Sequence, residues 1–169
     1  MSLTIRLILV MAIVAFQTTT AERRLIGENV ATVSARLKIS LKEWNSWADG
    51  KAYETACDLE HKLPLYGQNC FVCVIRKGDK VAGLQFIAVE CDGKCYQQFR
   101  DRITEAYGFE RNSSSDIYMI EGDGSVVRLD LEGDRTARLI LTDGDFGKAY
   151  ATRLLREGLG DFANKLRPH

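Results

Sequence analysis

Proline, histidine and tryptophan are the scarcest residues here, with two of each in a chain of 169. His169 is the last residue, so His61 is the only plausible imidazole base. A surplus of charge is also missing, since 23 basic side chains face 23 acidic ones. That balance argues against nucleic-acid binding, which needs excess Lys and Arg to neutralise phosphates. It equally argues against a polybasic membrane-surface protein. No serine-hydrolase elbow, phosphate loop or dinucleotide fingerprint occurs. The apolar runs are all shorter than the ~20 residues that span a bilayer. Neither an internal repeat nor a linker long enough to separate domains is found.

What is present begins with an address. Arg6 is the only charge before Glu22, and Leu7 to Phe16 is an unbroken apolar run. Small and polar residues follow up to Ala21. A positive start, a short apolar core and small residues before a charged segment form a secretory signal, residues 1–21. An uncleaved anchor is the alternative. No cysteine follows the apolar core, so lipid attachment is not expected. Removing 21 residues from 169 leaves 148, and the loss of Arg6 makes the charge −1. The expected product is one exported domain, residues 22–169.

Within it, the β-branched run 29–39 predicts a strand. Ser40 and Glu43 form a capping box. Leu41, Trp44, Ala48, Ala52, Ala56, Leu59 and Leu63 then recur every three or four residues, which predicts a helix from about 41 to 62, ended near Pro64. Cys70–Arg76 and Val81–Glu90 flank a Gly-Asp turn and read as a hairpin. Tyr96, Phe99, Ile103 and Tyr107 mark a helix ended by Gly108. Residues 117–120, 125–131 and 136–142 read as three strands. Pairing Leu131 with Ala137 and Leu129 with Leu139 keeps apolar side chains together, because a one-residue slip would bring Arg138 to the core face. Phe146, Tyr150, Leu154, Leu155, Leu159, Phe162 and Leu166 line a final helix, broken or kinked at Gly158 and Gly160. Strands in runs joined by short turns give α+β: an antiparallel sheet of about five strands with two or three helices packed on one face.

The five cysteines carry the most chemistry. Export favours disulfides. Cys70 and Cys73 point to opposite faces of a strand and do not suit each other. Cys91 and Cys95 could close a small loop, and Cys57 could reach a strand thiol across the helix–sheet interface. One thiol is left over. The alternative is zinc held by Cys70, Cys73, Cys91 and Cys95, whose spacing approaches a four-thiolate pattern. Against it, Phe71-Val72 between the first two favour an extended strand rather than a metal knuckle. If 41–62 is helical, Cys57 and His61 share a face, but a nucleophile and base need a third orienting group. The acidic turns around Gly122, Gly133 and Gly144 resemble calcium loops only in composition, and hairpin chemistry explains them. Asn112-Ser113-Ser114 is a glycosylation sequon.

The segments Tyr66-Gly67 with Cys70, Leu84-Gln85-Phe86, Ile103 to Phe109, Arg128 to Glu132 and Leu159 to Phe162 resemble exported members of the YbjN-like family of bacterial proteins. The resemblance covers the C-terminal two thirds of the mature chain. It leaves out the first predicted helix and the extra cysteines. It implies a fold like that of type III secretion chaperones and a non-enzymatic role. The expectation is an exported protein-binding or accessory module, secreted or periplasmic, stabilised by disulfides. No cofactor, catalytic residue or nucleic acid is expected, nor a membrane once the signal is cleaved. Trp44 and Trp47 are the candidate contacts with another protein. A cysteine-dependent redox or zinc-binding protein is the alternative.

Overall fold

The computed structural model describes residues 20–47, 52–108, 117–132 and 135–156. The expected signal, apart from Thr20 and Ala21, lies outside these residues. So do the sequon at Asn112, the Gly133-Asp134 turn and the expected helical stretch 157–169 with Leu159, Phe162 and Leu166. Helix α1 is Val30–Leu37, followed by strands β1 (Asn45–Ser46), β2 (Glu54–Leu65), β3 (Gln68–Lys77) and β4 (Lys80–Ala88). Helix α2 (Gly93–Tyr107), strands β5 (Ile117–Ile120), β6 (Val126–Glu132) and β7 (Thr136–Thr142), and helix α3 (Gly144–Arg156) follow among the described residues. One seven-stranded sheet results, in the order β1-β2-β3-β4-β7-β6-β5, and every pair is antiparallel. The architecture is α+β, with more strands than the five expected.

The centre of the sheet follows from alternation. Val72 and Val74 on β3, Leu84 and Phe86 on β4, Leu139 and Leu141 on β7, and Leu129 on β6 all point to one face and are at most 1% exposed. Each position opposes another apolar one: Leu84 meets Leu141, Phe86 meets Leu139, and Leu129 meets Leu139. Leu131 pairs with Ala137, as the sequence requires. Helix α2 lays Tyr96, Phe99 and Ile103 on this face, and α1 adds Val33. Asp92 caps the N-terminus of α2, and Gly108 ends it in the left-handed region at φ 71°.

Helix α3 packs on the opposite face. Phe146 and Tyr150 meet Ile75, Ala82 and Ile140, which alternate away from the main core. Placing α3 there requires close backbone contact. A Cβ on Gly147 would sit 2.1 Å from the Gly124 carbonyl oxygen, so only glycine fits.

Two sequence-based expectations are overturned. Residues 30–37 form a helix rather than a strand: the Asn29 side chain accepts the Ala31 N–H, a cap that outweighs the β-branched composition. Residues 41–62 are not helical, because this stretch contains β1 and most of β2. Burial along β2 alternates at Ala56 and Asp58, with Cys57 and Leu59 outside, which is a period of two. The Ser40–Glu43 capping box is not formed. The Ser40 N–H instead donates to the Asp58 carboxylate at 2.7 Å. Pro64 lies within β2 rather than ending a helix, a position open to proline because β2 is near the sheet edge. Tyr66 and Gly67 then make a two-residue turn to β3, with φ of 47° and 83°, the left-handed pair that a tight hairpin requires.

Candidate functional site

The edge at β2 is built differently from the centre. β1 pairs with β2 only at Asn45↔Thr55 and Ser46↔Glu54, and the Trp47 N–H donates to the Tyr53 carbonyl at 2.9 Å. Upstream, residues 41–44 leave the ladder: among the described residues no backbone ladder pair joins them to β2, and the Lys42 side chain alone is seen to reach across, to Glu60. The segment returns at Ser40, which Asp58 holds. Between these two tethers opens a slot of about 380 Å³, with Ser40, Lys42, Glu43 and Asn45 on one wall and residues 55–60 on the other.

Asp58 organises the slot's closed end. It is 1% exposed. Its Oδ1 accepts the N–H groups of Glu60 at 2.9 Å and His61 at 3.0 Å. Its Oδ2 accepts the Ser40 N–H and lies 2.9 Å from His61 Nδ1. Burial pushes the carboxyl's pKa upward. The backbone donors from Ser40, His61 and Glu60, with the His61 ring, outweigh burial and hold it well below the usual carboxylate range. These bonds also fix a bulge. Asp58 opposes Val72 and Leu63 opposes Cys70, so β2 advances five residues while β3 advances two. Residues 59–62 are thereby pushed out, and Leu59 is 67% exposed.

The slot carries one cation, Lys42, against the carboxylates of Glu43, Asp58 and Glu60. Lys42 and Glu60 form an exposed ion pair at 3.0 Å. The hydrogen bond and charge of Glu60 raise the Lys42 pKa above its ordinary value.

All five cysteines have definite places. Cys57 and Cys73 are directly opposite on β2 and β3, 3.9 Å apart at Cα, and are bridged. Cys91 and Cys95 are bridged across the start of α2. Cys70 is free and buried, and burial pushes its thiol up to about 12. Cys57 therefore sits on a strand, not on a helix facing the sheet, and its partner is the cross-strand neighbour. The four-thiolate arrangement of Cys70, Cys73, Cys91 and Cys95 is not formed: three of these are bridged, and Cys70 is on the opposite face of β3 from Cys73. Among the described residues no three potential ligands gather. Cys57 and His61 share no helix face, and His61 pairs with Asp58 instead.

Trp44 is half-buried at the margin of the main core, under the Arg76 guanidinium at 3.9 Å. Trp47 is half-buried too, edge-on to Phe146 at 4.6 Å. Sequence reasoning placed both tryptophans on a helix, whereas Trp44 precedes β1 and Trp47 follows it, and it missed Asp58 and the slot. The only available signal was a lone acidic residue at an inward position of a strand.

Two bridged pairs fit an oxidising compartment. No described helix is long and apolar enough to cross a membrane. Comparison with family models, curated proteins and solved structures found no match.

Proposed function

We propose that this chain is an exported, non-enzymatic binding module that takes an extended segment of another protein into the slot beside β2. One observation carries the reading: segment 40–47 is held to β2 at both ends, while between them the backbone ladder is open among the described residues and the Lys42 side chain crosses to Glu60. The edge of β2 there offers backbone groups to an added strand, the usual way an extended peptide joins a sheet. At about 380 Å³ the slot is within the range of ligand sites, about 300–1,000 Å³. Three carboxylates against one lysine favour a basic segment. The secretory pattern of residues 1–21 and the two bridges support export to a secreted or periplasmic location. The resemblance to exported YbjN-like proteins supports a role without catalysis.

The test is an amide-shift titration of the oxidised protein with a cysteine-free, Lys-rich extended hexapeptide. Shifts confined to residues 40–45 and 55–60, and suppressed by salt, are expected. Shifts that map to another surface, or none at all, would remove the slot as the binding site.

A further inference from the structure

The two bridges differ in what can reach them. Cys91 is 1% exposed and its partner Cys95 is half-buried. Cys57 is exposed and lines the slot, whereas Cys73 is 3% exposed. Thiol–disulfide exchange needs a thiolate to approach one sulfur on the side away from the leaving sulfur. β3 lies inside β2 in the sheet order, so the side of Cys57 away from Cys73 is the edge on which the slot opens.

We propose that the Cys57–Cys73 bridge is an exchange site, at which a thiol carried by a neutral or basic peptide attacks Sγ of Cys57 from the slot. The inference rests on the slot being the docking site. A new bond forms between the incoming sulfur and Sγ of Cys57, and the Cys57–Cys73 bond breaks. Its electron pair leaves on Sγ of Cys73, which takes a proton from water. The proton of the incoming thiol has already gone to solvent. The peptide sulfur is oxidised to the disulfide level as Cys73 is reduced, so no outside oxidant is needed. Cys73 is kept near Cys57 by the β2–β3 register pairs on either side of it, from Glu54↔Arg76 to Leu65↔Gln68. It can therefore attack Cys57 again and expel the partner, making capture reversible. Cys70 does not intercept, being buried on the other face of β3. Among the exposed charges of the slot, Glu43 and Glu60 outnumber Lys42, which disfavours an anionic thiol and favours a cationic one.

The experiment uses the oxidised protein with cysteamine or mercaptoethanesulfonate at equal thiolate concentration, then acid quenching and peptide mass mapping. The expected first adduct is on Cys57, with Cys91–Cys95 intact. At low salt cysteamine should react about threefold to tenfold faster, a ratio that shrinks at high salt. Glu43→Gln should lower the ratio as well. First opening at Cys91–Cys95, a first adduct on Cys73, or equal rates for the two thiols at low salt would overturn the exchange site. These probes contain no peptide, so a failure here is separate from a failure of the cysteine-free peptide to bind.

Discussion

The β4–β7–β6 centre and the β2 edge belong to one sheet but are held by different forces. In the centre, large apolar side chains oppose one another across every strand pair, nearly all fully buried. On the core side of β2, the buried residues are Ala56, Asp58 and Leu65. Burial of an alanine contributes little. The edge relies instead on a carboxylate with several donors and on a covalent bridge. Dispersed apolar packing responds weakly to solution conditions. A single carboxylate responds to acid, and a disulfide responds to thiols. The difference makes the edge the region where chemistry can act without dissolving the fold.

The largest expected effect breaks the centre. Leu139→Ala, at a fully buried position, should cost about 4 kcal/mol. Urea unfolding should show it, with exchange protection lost across the whole sheet. A loss confined to one hairpin would mean that the centre is not a single cooperative unit. Removing the edge's anchor should cost less and act locally. Asp58→Ala leaves the Ser40, Glu60 and His61 donors without their acceptor and should cost about 2 kcal/mol. Exchange protection should fall at 40–46 and 54–62 and hold at β6 and β7.

Acid should separate the two regions in the same way. The Asp58 carboxyl is depressed in the fold, so its contribution is fully present above the unfolded value of about 4 and is lost as the pH falls through it toward the lowered folded value. The acid limb of the stability curve should be flatter in Asp58→Asn than in the parent chain. The smallest effect sharpens the contrast from the other side. Lys42→Ala removes an exposed ion pair and should leave stability nearly unchanged, while sharpening the slot's preference for cationic ligands because Glu60 loses its partner.

The same contrast explains what could be read from the chain. The β3–β4 hairpin, α2 and the β6–β7 register were legible because each rests on a local pattern: alternation, a turn glycine, a helical stripe. The β6–β7 register followed from keeping Arg138 off the core face. The stretch from 29 to 65 was not legible. Its elements are decided by partners distant in sequence, with Cys57 meeting Cys73 and Ser40 meeting Asp58 across 18 residues. Spaced alanines suit a helix and a strand alike, and tertiary pairing chose the strand. At α1, the Asn29 cap was visible but was overlooked beside Val30, Thr32 and Val33. The slot was illegible for a stronger reason: it is a place where two strands fail to pair, and nothing in a linear pattern marks a gap.

The pleat of β3 also bears on how the chain reaches its native state. Five thiols offer several wrong pairings, and Cys70 and Cys73 are close enough in sequence to compete for Cys57. In the formed hairpin that competition is already decided, because Cys73 faces Cys57 while Cys70 faces the main core. Strand pairing thus acts as a proofreader for oxidation. The hairpin selects the correct sulfur first, and the bond then records the choice.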